Sequence, residues 1–189
     1  PGVDFATASD CEPVLHYYQN YGLDYTDWLR GMYALALYDP NERCLVLSRD
    51  PFGIKPLYYA LSDDGVAFAS ELQALLAAGF GARELRDKRV GELLQLQFTT
   101  GTQTPFEGIE RVLPGETIVI AGGSIVDRRR RDALPEGGPR RLSESAALEA
   151  LEVAMTDSVN VHQRADVPYA MFLSGGIDSS AVLALMTRL

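Results

Sequence analysis

The segment that most narrows the fold lies at the C-terminal end. "DVPYAMFL" (166–173) is an almost unbroken apolar run, "SGGIDSS" (174–180) is a turn of glycine and serine, and "SAVLALMTRL" (180–189) has the pattern of a helix. A strand that passes through a tight turn directly into a helix is the first half of a parallel α/β unit. Helices cover both faces of a parallel sheet, so this strand is expected to be buried. The turn carries chemistry as well. A helix start gathers backbone N–H groups without intrahelical partners, and the helix dipole strengthens their pull on an anion. Gly175 and Gly176 lack Cβ atoms, which lets the backbone approach a phosphate closely. Ser174, Ser179 and Ser180 add hydroxyl donors. Asp178 repels a bare phosphate and makes sense beside one only if a divalent cation lies between them. The turn has no lysine, so it is not the G-x-x-x-x-G-K-[ST] loop, and its spacing is not that of G-x-G-x-x-G. A polar turn with a capping serine is the plain alternative. The strand before it, the helix after it and the Asp178–Ser179 pair favour phosphate.

Upstream the pattern is different. "SDCEPVLHYYQNYG" (9–22) predicts a helix, with Ser9 or Asp10 as cap, Pro13 in the first turn and Gly22 at the exit. "YALALYD" (33–39) and "CLVLSRD" (44–50) flank the loop "PNER", and "PLYYAL" (56–61) and "VAFAS" (66–70) flank "DDG", which predicts two hairpins. Leu35 and Leu37 alternate with Ala34 and Ala36, so the first of these strands is expected to be buried on both faces inside a layered sandwich. "ELQALLAAG" (71–79) reads as a short helix closed by Gly79, and "ETIVIAG" (116–122) as another strand. At "DRRRRDALPEGGPRR" (127–141) charge, proline and glycine replace the strand pattern, which predicts a linker. Its arginines, Arg128–Arg131, are either a solvated face or an anion patch, and the acidity of the rest of the chain favours the first. Beyond it, Leu148, Leu151, Met155 and Val159 follow helical spacing from a Ser143 cap. The expected organisation is residues 1–126, a linker 127–142, and a second domain starting at 143.

With 189 residues, 47% of them apolar, the chain can fill one or two packed domains. Its formal net charge of -9 argues against general binding to nucleic acid or an anionic membrane. No run is long and apolar enough to span a bilayer, and the first residues show neither a basic leader nor an apolar stretch. Two cysteines make no disulfide framework, and no Cys/His cluster has zinc spacing, so a cytoplasmic setting is expected.

The loop "SGGIDSS" resembles the pyrophosphate loop of the N-type ATP pyrophosphatases, which split ATP between its α- and β-phosphates. Four further stretches, "SDCEPVLHYYQNYG", "LRGMYALALYD", "RDPFGIKPLYY" and "FASELQALLAAG", together with "GIERVLPGETIVI", follow in the order of the glutamine amidotransferase domain of glutamine-hydrolysing asparagine synthetases. The resemblance covers essentially the whole chain. It implies an α/β fold: an incomplete α+β sandwich of the N-terminal-nucleophile hydrolase type, followed by the start of a parallel α/β ATP-pyrophosphatase domain.

The resemblance also implies a reaction. Glutamine supplies ammonia, ATP and Mg²⁺ activate the aspartate carboxylate, and asparagine, glutamate, AMP and pyrophosphate leave. Asp10 matches the aspartate that holds the glutamine α-ammonium. Ser174, Gly175, Gly176, Asp178 and Ser179 match the pyrophosphate loop, with Asp178 as the Mg²⁺ contact. Phe172 and Leu173 match the strand end that borders the adenosine. Arg49 and Asp50 of "RDPFGIKP" are read as a structural turn and ion pair. Cys11 is internal, has no free α-amine and is expected to be a packed thiol, not a nucleophile. His16 and His162 are expected to serve packing or the surface. The amino-terminal cysteine, the glutamine-carboxylate arginine and the Asn-Gly oxyanion loop of the family have no counterpart here, and an arginine run replaces a common Tyr-Trp pair. The chain is therefore expected to be an inactive internal fragment that self-associates through open strand edges. A ligase acting on another carboxylate, like the β-lactam synthetases, and a non-catalytic interaction module are the rival readings.

Overall fold

The computed structural model describes residues 4–63, 65–134, 137–139 and 141–189. It divides into two compact units, Pro1–Pro135 and Glu136–Leu189.

The first unit begins with α1 (Glu12–Tyr21), which runs into a 3₁₀ helix (Gly22–Trp28). Hairpins β1 (Ala34–Asp39)–β2 (Cys44–Arg49) and β3 (Tyr58–Ser62)–β4 (Gly65–Ala69) follow as predicted. Asp64 of the second hairpin loop lies outside the described residues. Next come α2 (Leu72–Ala77), α3 (Asp87–Leu96), β5 (Glu110–Arg111), β6 (Glu116–Ala121) and β7 (Ser124–Arg130). Gly79 closes α2 at φ +86°, where its amide reaches Leu76 and that of Phe80 reaches Leu75. The left-handed closure that glycine favours is therefore used.

Two antiparallel sheets form, ordered β1-β2-β6-β7 and β4-β3-β5. Alternation along the strands sorts the side chains into layers. Leu47, Leu57, Tyr59, Val112, Ile118 and Ile120 fill the space between the sheets. Val46 and Val119, pointing the other way, pack with Tyr25 beneath α1. Ala60 and Ile109 pack with Leu75 of α2 on the far face of the smaller sheet. The order is helix, sheet, sheet, helix. Full burial of each large apolar side chain contributes about 1.5–3 kcal/mol against the entropy of ordering the chain.

Three local expectations change. β1 is an edge strand with Ala36 and Tyr38 exposed; β2 and β6 are the strands buried on both faces. Alanine is small and apolar enough for either position, so composition alone did not separate edge from centre. The helix expected from Ser9 starts at Glu12 with Cys11 at the cap position, and neither Ser9 nor Asp10 caps it; Ser9 Oγ accepts the Cys11 amide just outside. The linker expected at 127–142 begins on a strand, because Asp127–Arg130 lie within β7, paired antiparallel with β6. Of the expected linker, residues 135, 136 and 140 lie outside the described residues. α3 and the 3₁₀ helix were not anticipated. α3 contains Gly91 and buries no residue, so its period was faint.

The second unit holds α4 (Glu144–His162) and α5 (Ile177–Arg188). Ser143 caps α4, accepting the Ala146 amide at 3.3 Å as expected. The buried strand expected over 166–173 is not formed. The segment is irregular and belongs to no strand, and Phe172 is 102% exposed. A strand exists only by hydrogen bonding to another, and no second strand occurs among the described residues of this unit.

Candidate nucleotide and glutamine sites

The turn after this irregular segment leads into a helix, as the sequence predicts. Gly175 takes φ +78°, a left-handed conformation that costs other residues energy. Gly176 is the cap of α5, and its carbonyl accepts the Ser180 amide at 3.1 Å, the first bond of the helix. The amides of Ile177, Asp178 and Ser179 therefore precede the first intrahelical donor and remain available to a ligand. Three hydroxyls crowd the same turn. Ser174 Oγ lies 3.1 Å from Ser179 Oγ and accepts the Gly176 amide at 3.4 Å, while Ser179 and Ser180 both donate to the Gly176 carbonyl, at 3.1 and 2.8 Å. Asp178 is exposed in the first turn of α5. Phe172 and Leu173 lead into the turn, and both are exposed. All seven predicted residues lie between Phe172 and Ser179, and the hydroxyls of Ser174 and Ser179 meet in one turn.

One oxygen-rich ligand with several negative charges suits this donor set: amides, hydroxyls and a helix N-terminus on one side, a single carboxylate on the other. Among the described residues no group of three or more His, Cys, Asp or Glu could hold a metal unaided. Asp178 could therefore contribute one ligand to a magnesium ion whose other ligands are phosphate oxygens and water.

Asp10 belongs to the first unit. It is exposed at the turn before α1, with Cys11 Sγ 3.7 Å from its Oδ1. Cys11 is exposed, not packed as expected; the buried thiol is Cys44. The better-held carboxylate nearby is Glu12, which sequence reasoning missed. Glu12 accepts the amides of Ala6 and Thr7 at 2.7 and 2.8 Å and the Thr7 hydroxyl at 2.5 Å. Those bonds, the hydroxyl foremost, lower its pKa from the usual carboxylate range. The S-x-x-E spacing of Ser9 and Glu12 was the available signal. Glu12 fixes the chain ahead of Asp10, whose exposed carboxylate accepts a weak bond from the Cys11 thiol.

Arg49 and Asp50 do form the structural turn, but through the backbone, not through the expected ion pair. Asp50 is 1% exposed and accepts the amides of Phe52, Ile54 and Lys55 at 3.2, 3.0 and 3.0 Å. Arg49 donates to the carbonyls of Lys55, Val112 and Gly53 at 2.7, 2.9 and 2.6 Å. Gly53 sits at φ +63°, and an added Cβ would lie 2.7 Å from Pro114, so glycine is required there. His16 packs edge-on with Phe5, and His162 is exposed and bonds the Ser158 carbonyl of its own helix through Nδ1 at 2.7 Å.

Residues 1–130 match the family model described as a glutamine amidotransferase domain. The chain belongs to that family. A second family model, described as asparagine synthase, matches residues 150–189 of this amidotransferase-family chain. Among its relatives is asparagine synthetase [glutamine-hydrolyzing] 1 of Bacillus subtilis, 37% identical over 97% of this chain and 29% of that protein. Another is the amidase ChyE of Penicillium rubens, 34% identical over 98% of this chain and 27% of that protein. The chain thus spans less than a third of the length of either relative. A solved glutamine phosphoribosylpyrophosphate amidotransferase from B. subtilis, complexed with ADP and GMP, superposes with a TM-score of 0.50, covering 100% of this chain and 39% of that one. At 18% identity that likeness concerns the fold alone.

Proposed function

We propose that this chain is part of a glutamine-dependent asparagine synthetase, an ATP-dependent ligase that hydrolyses glutamine and moves its nitrogen to the β-carboxylate of aspartate. The observation that carries the reading is a phosphate-shaped turn in the second unit, following an amidotransferase-family unit in the same chain. In this reading Asp10 holds the α-ammonium of glutamine. The amides at the start of α5, with Ser174, Gly175, Gly176 and Ser179, hold the pyrophosphate portion of ATP, and the backbone at Phe172 and Leu173 borders the adenosine. Asp178 contributes to a Mg²⁺ that offsets phosphate charge. The turn orients the phosphates and excludes competing poses; the positive helix end favours the charge that builds on departing pyrophosphate.

The test uses the full-length protein, with glutamate and AMP release measured on one sample. Asp178→Ala should abolish AMP release and leave glutamate release intact, because the two chemistries belong to separate domains. AMP release at the unaltered rate would overturn the role of Asp178. Asp10→Asn should raise the KM for glutamine about ten- to a hundred-fold, the loss of a charge-assisted hydrogen bond. Synthesis from free ammonia should persist.

The amidase among the relatives favours a second reading, an amide-bond enzyme of the same architecture acting on another acceptor. Product analysis with aspartate as the only acceptor separates the two. The isolated 189-residue chain is proposed to lack both activities, to act in the cytoplasm only as part of the larger enzyme, and to self-associate through the edge of β1 and the unpaired segment before the turn. Nucleic acid is not among the proposed partners: Arg128, Arg129 and Arg131 each face a carboxylate of the chain itself.

A further inference from the structure

Arg128, Arg129 and Arg130 end β7 and Arg131 follows directly, and a strand sorts its side chains by parity. Arg128 turns toward the space between the sheets, where it donates to Glu116 at 2.8 Å and to the Tyr59 hydroxyl at 2.7 Å. Arg129 and Arg131 turn the other way, toward the 3₁₀ helix. Arg129 pairs with Asp24 at 3.0 Å while also holding Asp127 at 3.0 Å. Arg131 pairs with Asp27 at 3.4 Å and donates to the Thr26 carbonyl at 3.1 Å. The backbone of Arg131 is fixed in turn: its amide donates to Gly115 at 2.9 Å, and a Cβ at Gly115 would lie 2.0 Å from the Arg131 carbonyl oxygen. One cation on β7 and one immediately past its end thus meet two carboxylates and a carbonyl on one short helix.

That helix is tied to α1. Tyr25, fully buried, donates from its hydroxyl to Ser48 at 2.8 Å, and Ser48 and Thr117 share a second bond of 2.8 Å in the sheet. Trp28 stacks on Tyr21 of α1 at 4.5 Å, with Tyr17 beyond at 6.4 Å. α1 and the 3₁₀ helix meet at Gly22, whose φ of +57° and ψ of -134° break the helical path, so the 3₁₀ helix acts on α1 through the aromatic stack, and Asp10 lies two residues before α1 begins.

We propose that Arg129 and Arg131 are positioning residues: they latch the 3₁₀ helix to β7 and, through the aromatic stack and α1, hold Asp10 in place. The latch itself stands on geometry alone; its consequence for glutamine rests on the reading of Asp10 given above. The exit of the chain from the first unit is thereby coupled to the Asp10 end of α1.

The chain has a single tryptophan, Trp28, and it lies on the latched segment. Its fluorescence therefore reports the latch directly. In the 189-residue chain, Arg129→Ala/Arg131→Ala should raise acrylamide quenching of Trp28. Amide exchange across the 3₁₀ helix and α1 should rise together, by about five-fold for each exposed pair lost, while β2 and β6 stay protected. Molar salt should loosen the unaltered chain toward the variant and leave the variant little changed. Should the double variant fail to fold, Asp24→Asn/Asp27→Asn removes the same pairs from exposed positions and must give the same signature. Exchanging the charges, Arg129→Asp with Asp24→Arg, should restore quenching and exchange toward the unaltered values. Unchanged quenching in both double variants overturns the latch. Loosening confined to the 3₁₀ helix, with α1 still protected, overturns the positioning of Asp10. Glutamine binding is judged separately, by Asp10→Asn in the full-length protein, so failure of that reading does not masquerade as failure of the latch.

Discussion

The two units contain similar proportions of apolar residues and bury them very differently. In the first, Val46, Leu47, Ile109, Val112 and Ile118 are fully buried. In the second, Val159 is the only apolar residue among those described to count as buried, and Leu148, Leu151, Val153 and Ile177 are exposed. The difference is one of topology. Antiparallel hairpins pair within a few residues, so a sandwich with its own covering helices can complete itself locally. A parallel strand needs a partner delivered by a crossover, and two helices with an irregular segment supply no surface that closes. Apolar content decides that a segment wants to be buried; connectivity decides whether it can be.

Core truncation should break the two units unequally, and this is the largest effect expected. Ile118→Ala, in the layer between the sheets, should cost about 2–5 kcal/mol. Leu151→Ala should stay within about 0.5 kcal/mol. Urea titration followed by Trp28 fluorescence for the first and helical ellipticity for the second makes the comparison, and equal losses would contradict the difference in packing.

A smaller loss, about 3 kcal/mol, is expected for Asp50→Ala, which leaves three inward amides without their acceptor. Asp50→Asn keeps one acceptor oxygen and should fall between. Thermal unfolding of both variants ranks them, and an Asp50→Ala midpoint at the unaltered value would show the turn to be held by Arg49 alone.

Alkali should distinguish the units as well. Burial pushes the phenols of Tyr25 and Tyr59 up to about 12, from an ordinary value of 10.0. The folded form then holds these protons more tightly than the unfolded chain. The stability they contribute is complete below pH 10 and is lost as pH rises through 10 toward 12. Trp28 fluorescence should report unfolding of the first unit in that window, tracking tyrosinate absorbance. Titration of every tyrosine with a midpoint near pH 10, without unfolding, would contradict the burial of both phenols.

The smallest effect should come from Gly175→Ala. No atom lies within 4 Å of the added Cβ, so only the left-handed dihedral is penalised, by about 1–2 kcal/mol at the turn. Global melting should barely move, whereas ATP affinity of the full-length protein should fall. Unchanged affinity would mean that the turn reshapes freely.

Local chemistry was legible in the sequence wherever neighbours in the chain were sufficient to produce it. Both hairpins, the glycine exits at Gly22 and Gly79, the Ser143 cap and the left-handed turn at Gly175 follow from residues within one or two turns of each other. Among the candidate site residues, the turn at 174–180 was readable as a turn into a helix because its residues are close in the chain. The roles of Glu12 and Cys11 were not, since they depend on how the preceding loop folds back.

What sequence alone determined, then, is a set of local conformations, among them one turn rich in glycine and hydroxyl groups at a helix start: dihedral preference, capping and charge act over a few residues. Tertiary structure decided the rest. It made β1 an edge and β2 and β6 the centre, placed the arginine run at the end of β7 against two aspartates a hundred residues upstream, and left the segment before Ser174 without a sheet. Each of those outcomes depends on which surfaces meet, and burial, pairing and ion-pair geometry are properties of the meeting surfaces, not of any short stretch of chain.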